Sequence, residues 1–66
     1  MINHVKEMRV GLGMTQQELG DLLKVSRQTI FSIETGKYVP STILSLKISR
    51  IFNKSVEEVF VLEKND

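Results

Sequence analysis

Apolar side chains recur along this chain at helical spacing, in five blocks separated by residues that start or stop helices. In the first, from about Ile2 to Leu12, Val5, Met8, Arg9 and Leu12 fall at i, i+3, i+4 and i+7, one helical face with a charge embedded in it. Gly11 and Gly13 close that block and turn the chain. The second block opens at Thr15, whose hydroxyl can accept from a free backbone N–H while Glu18, three residues on, reaches back to the N–H of Thr15. Leu19, Leu22 and Leu23 then share one face, and Gln16, Gln17 and Asp21 lie on the other. Lys24 and Val25 make a turn, Ser26 caps a third helix directly after it, and Gly36 ends that helix in the left-handed conformation that glycine adopts cheaply. Pro40 bars helix before it, and Ser41 caps a fourth helix, about Thr42 to Phe52, with Leu44, Ile48, Ile51 and Phe52 as its inner stripe and Asn53 as its left-handed stop. Ser55 and Glu58 form a second capping box, opening a short fifth helix that carries Val56, Val59 and Phe60. The pattern predicts an all-α domain of five helices over residues 1–66, organised around a tight helix-turn-helix at about 15–36.

The third helix carries the chemistry. At ~100° per residue, Ile30, Ile33 and Glu34 share its inner face. Gln28, Ser32 and Thr35 lie nearly opposite, Thr29 and Phe31 lie on the flanks, and Arg27 at the N-terminal end is long enough to swing outward. An amide, hydroxyls, an aromatic ring and a guanidinium suit the edges of base pairs: glutamine bonds bidentately to adenine, arginine to guanine, and an apolar group meets a thymine methyl. A solvated face would more usually carry Lys and Glu at i, i+4, and this one has no such pair. The buried charge of Arg9 needs a partner, and Glu34 on the inner face supplies one, a pair that more often fixes an arrangement than adds net stability. Beyond Gly36, Lys37 and Tyr38 could reach phosphate oxygens flanking a groove, or form an ordinary surface loop with the Tyr38 ring packed down.

Through MTQQELGDLLKVSRQTIFSIETGKYVPS, Met14 to Ser41, the chain closely resembles the helix-turn-helix regulators of the phage repressor and Cro type, the XRE family. The resemblance continues less sharply from about Val5 to Leu62, and its most specific part is SRQTI followed by I-E-x-G-x-x-x-P at Ile33 to Pro40. It implies a phage-repressor-like fold whose third helix enters the major groove while the second crosses the backbone. Residue by residue, it implies base-edge contacts for Arg27, Gln28 and Ser32 with Thr29 nearby, and phosphate contacts for Gln16, Gln17, Ser26, Lys37 and Tyr38. It also implies that Glu34 pairs with Arg9. Two positions depart from the family: Gly20 stands where alanine is usual, at about 1 kcal/mol of helix propensity, and Phe31 stands where a polar residue is expected. For Phe31, thymine-methyl contact and packing against a neighbouring element both remain open.

Composition narrows the remaining options. Sixty-six residues with 41% hydrophobic and 26% charged side chains make one small globular domain, able to bury about 60% of its unfolded surface. Without cysteine there is no disulfide, thiolate metal site or cysteine nucleophile, and the lone His4 has no ligand cluster at metal spacing, so neither a cofactor nor a metal nor an enzyme is expected. Gly11-x-Gly13 has no preceding strand and incomplete spacing for a phosphate loop. No apolar run approaches the ~20 residues of a membrane span and no leader opens the chain, which makes the cytoplasm the expected location, and no site for a small-molecule effector is evident. A net charge of +1 would not by itself suggest DNA, but Lys24, Arg27 and Lys37 lie in or beside the helix-turn-helix while Glu57, Glu58, Glu63 and Asp66 gather at the other end.

In Phe60-Val61-Leu62, Phe60 can turn inward, but Val61 and Leu62 are more apolar surface than a chain end needs. Either they cap the monomer's own core, or, the favoured reading, they join a two-fold dimer interface, with a short C-terminal β-strand pairing with its copy. The expected function is sequence-specific binding of double-stranded DNA by a homodimeric repressor that occludes a promoter. Its operator would be an inverted repeat with half-sites about 34 Å, or a multiple of that, apart. The alternative is an antitoxin-like protein-binding module on the same fold, which the weak net charge and apolar C-terminus permit.

Overall fold

A computed structural model describes all 66 residues. In chain order the elements are strand β1 (Ile2–Asn3), helices α1 (Val5–Gly11), α2 (Gln16–Leu23), α3 (Arg27–Glu34), α4 (Thr42–Phe52) and α5 (Val56–Val59), and strand β2 (Phe60–Val61). Local capping explains where most helices start. Thr15, Ser26, Ser41 and Ser55 each accept, through the side-chain oxygen, the N–H of the residue three further on, and the boxes at Thr15/Glu18 and Ser55/Glu58 are closed in both directions. Lys24 and Asn53 end α2 and α4 in the left-handed conformation at φ 59° and 54°.

Ten buried apolar side chains form one core to which every element but β1 contributes: Val5 from α1, Leu19 and Leu23 from α2, Ile30 and Ile33 from α3, Leu44, Ile48 and Phe52 from α4, Val59 from α5 and Phe60 from β2. Each is worth roughly 1.5–3 kcal/mol of hydrophobic transfer. The closest approach is between α2 and the turn into α3. A methyl group built on Gly20 would lie 2.8 Å from the carbonyl oxygen of Val25, so the bare glycine lets that turn ride directly on α2.

Several expectations are corrected. The first helix begins at Val5 rather than Ile2, because Ile2–Asn3 is drawn into an antiparallel pair with Phe60–Val61, in the register Ile2 with Val61 and Asn3 with Phe60. The His4 N–H donates to the carbonyl of Val59 at 2.8 Å, which pins the start of α1 to the end of α5. The C-terminal strand therefore pairs with the start of its own chain along one edge, and Phe60 turns into the core. For the same reason the fifth helix stops at Val59, with Phe60 already extended. Leu12 lies just past the end of α1 and is exposed. Leu22 is 60% exposed, because the inner arc of α2 is narrow enough to be filled by Leu19 and Leu23 alone. No helix is long and apolar enough to cross a membrane.

Candidate nucleic-acid interface

The orientation of α3 is set from its inner face. Arg9, on α1, reaches Glu34 near the end of α3, its Nε donating to Oε2 at 2.7 Å and its NH2 group to Oε1 at 3.3 Å. The remaining guanidinium arm donates to the carbonyl of Met14 at 2.7 Å, in the connection to α2. Gln16 completes the cluster by donating from Nε2 to Glu34 Oε1 at 3.1 Å. With the Glu34 side chain only 3% exposed and that of Arg9 10%, the pair is shielded from water and fully hydrogen-bonded, the condition under which a buried charge pair is tolerated. One carboxylate thus ties together α1, the loop after it, the first turn of α2, and α3.

Asn3 adds a tether that sequence reasoning missed. Its side-chain amide donates to the carbonyl of Ile33 at 3.0 Å, and its Oδ1 accepts the N–H of Val5 at 3.3 Å, so one residue holds both the first N–H of α1 and the C-terminal end of α3. Nothing in the local sequence signals this, because the partner carbonyl is thirty residues away. At that same end, the Ser32 carbonyl accepts from the backbone N–H groups of Lys37 at 2.9 Å and Tyr38 at 3.2 Å, folding the following loop back alongside the helix.

Gln28, Thr29 and Ser32 consequently share an open cleft of about 420 Å³ with Tyr38, floored by Val25 and Leu44. Arg27 and Gln28 are exposed at the leading end of α3, and Thr29 and Ser32 are half-buried along it. The Thr29 hydroxyl is within 2.9 Å of the Ser26 hydroxyl, which also accepts the Thr29 N–H. Thr35 faces outward but its hydroxyl bonds back to the Phe31 carbonyl at 2.8 Å, which removes its proton from outside contacts. Phe31 stands half-exposed, with the Lys37 ammonium 6.0 Å from the ring centre, within loose cation–π range. Gln17 donates to Asp21 at 2.9 Å. Lys24, Arg27 and Lys37 enter none of the four ion pairs in the structure, so the charge along this side is free to meet phosphates. No group of three or more side chains is arranged to hold a metal ion.

Of the residues singled out in the sequence, the fold brings Gln28, Thr29, Ser32 and Tyr38 around one cleft, sets Ser26 and Arg27 at its leading end, and places Lys37 beside Phe31. Gln16 belongs as much to the buried cluster as to the surface, since one of its two amide hydrogens is committed to Glu34. Phe60 lies in the core, Val61 is partly exposed, and Leu62 is 79% exposed.

Comparison with known proteins agrees with this architecture. The family model described as "Helix-turn-helix" matches residues 5–59. A protein of Bacillus subtilis, the uncharacterized HTH-type transcriptional regulator YgzD, is 47% identical over 66 residues, the full length of both chains. The competence pilus inhibition repressor of Acinetobacter baylyi is 33% identical over 61 residues, which are 92% of this chain and 56% of that protein. Among solved structures, the restriction-modification controller protein C.AhdI of Aeromonas hydrophila superposes with a TM-score of 0.77 over 86% of this chain and 83% of its own, at 24% identity, a likeness of fold. The chain belongs to the helix-turn-helix family of XRE type, whose members are DNA-binding transcriptional regulators and not enzymes.

Proposed function

We propose that this chain is a homodimeric repressor that binds an inverted-repeat operator and blocks transcription by covering a promoter. The single observation that carries the reading is the outward side of α3: Arg27, Gln28, Thr29 and Ser32 present donors and acceptors beside Tyr38, on a helix locked from behind by Glu34. In this reading those four residues contact base edges. Ser26, Gln17, Lys37, Tyr38 and the free amide hydrogen of Gln16 hold phosphates, fixing register without reading sequence. Repression is favoured by the likeness to a relative that is named a repressor. The two-fold contact uses Val61 and Leu62 with neighbouring Ile2, apolar residues left exposed along the two-stranded sheet. Residues 1–66 act as one DNA-binding unit.

Selection of bound fragments from a random duplex library, at near-physiological salt with non-specific competitor, tests this directly. Enrichment of an inverted repeat with half-sites about 34 Å, or a multiple of that, apart is the expected result. Failure of folded protein to enrich any sequence would overturn it. A second reading, an antitoxin-like module that holds a protein partner, is favoured by one observation, the exposure of Leu62 and Val61. A stoichiometric second protein, with no operator enriched, would establish that reading instead.

A further inference from the structure

Outside the α3 face, two exposed clefts that share no residue carry opposite charge around an apolar centre. On α4, Ile43 and Leu46 are 68% and 57% exposed and, with Lys47 and Arg50, line a cleft of about 210 Å³. Leu46 and Arg50 also line the neighbouring cleft, where Lys54 and Glu58 lie together. On α2, exposed Leu22 and half-buried Met14 line a cleft of about 440 Å³ with Glu18 and Asp21. Neither Lys47 nor Arg50 enters an ion pair in the molecule, and neither Glu18 nor Asp21 does. A single exposed leucine is ordinary on a protein surface. Here, however, the charges lining each of these two clefts are of one sign, and the two signs are complementary.

We infer that the two faces are halves of one contact between copies of this chain: Leu22 of one molecule seats against Ile43 and Leu46 of a second, with Glu18 and Asp21 facing Lys47 and Arg50. The apolar centres supply the attraction, and the charges fix register and exclude like faces, since acid on acid and base on base repel. With about four residues a side, the contact falls below the roughly 1,200 Å² of a stable interface, so it is weak between free molecules. It becomes effective when copies are held next to one another at high local concentration, as on adjacent sites of a shared scaffold. The contact is distinct from any pairing through Val61 and Leu62, and the inference holds whether or not the operator is an inverted repeat.

The test is sedimentation velocity of the full chain over a concentration series, at about 50 mM and about 500 mM salt, where screening differs several-fold. Expected for the unaltered chain is a sedimentation coefficient that rises with concentration at the low salt and much less at the high. Asp21→Lys gives a copy whose α2 face has no net charge beside its basic α4 face, and the double variant Lys47→Glu, Arg50→Glu gives one with two acidic faces. Each alone loses the rise, and an equimolar mixture of the two restores it. Leu22→Ser, which alters no charge, also abolishes the rise while leaving the helical circular dichroism unchanged. Absence of association by the unaltered chain, undiminished association by either charge variant alone, or failure of the mixture to regain it would overturn the inference.

Discussion

Glu34 joins stability and recognition in a single side chain. It sits at the end of the helix expected to read DNA, yet its carboxylate is buried and satisfied by Arg9 and Gln16. Arg9→Ala would strand that charge with one amide for company, and breaking such a pair costs about 3–5 kcal/mol, a large share of the stability of any small domain. Thermal unfolding followed by circular dichroism should show a lowered midpoint or no folded state, and an unchanged midpoint would dismiss the pair as a structural element. The outward residues are expected to behave differently. Gln28→Ala should leave the melting temperature alone, weaken cognate DNA by about 1–3 kcal/mol and relax one operator position. Lys37→Ala should weaken all sequences alike and lower the slope of log affinity against log salt by about 1. Equal losses on cognate and random DNA for Gln28→Ala would remove it from base readout. Arg9 and Glu34 were legible in the sequence because a charge on an otherwise apolar face demands a partner. Asn3 was not, because an asparagine near a chain start has no pattern to violate, and its partner is the carbonyl of Ile33.

At the scale of elements, the helix-turn-helix owes its tightness to Gly20. Its backbone lies so close to Val25 that a Cβ atom would meet the Val25 carbonyl oxygen at 2.8 Å, and a backbone atom cannot step aside as a flexible side chain would. Gly20→Val should push the turn off α2 and lose about 1–3 kcal/mol through overpacking. The predicted signature is a drop in unfolding midpoint together with weaker DNA binding, since α3 moves with the turn. A midpoint at or above that of the unaltered chain would show that the turn shifts freely. The helices α2, α3 and α4 start and stop where their caps say, because a cap and its helix lie within three or four residues of each other. The first helix is shorter than its apolar spacing suggests because Ile2 and Asn3 find strand partners at the far end of the chain.

Across the whole molecule, the two ends of the chain meet. The Met1 amino group lies 2.8 Å from Glu63 and 3.1 Å from Asp66, closing the two-stranded sheet. Hydrogen bonds to Glu63 and then Asp66 raise the amino group above its ordinary 8.0, so its contribution is complete below that value and is lost as pH rises through the raised one. The backbone N–H of Glu63, and then the Met1 amino group, hold Asp66 below its ordinary 3.8, so its contribution is present above 3.8 and fades as pH falls through the lowered value. The contact between Met1 and Asp66 is therefore intact between 3.8 and 8.0, and amide resonances of Ile2, Val61 and Glu63 should shift together outside that window while those of the core stay put. Resonances of the two ends that titrate independently would argue against it. Spacing and caps act over one or two turns, so they suffice for the helices of the helix-turn-helix, the inner and outer faces of α3 and the need for a partner at Arg9. That the end strand pairs with the chain's own start, that Phe60 is core, that Leu22 is surface and that Gln16 leans on Glu34 follows from the assembled fold. Each of these depends on which distant segment arrives to compete for the same hydrogen bonds and the same buried volume, and no local pattern records that arrival.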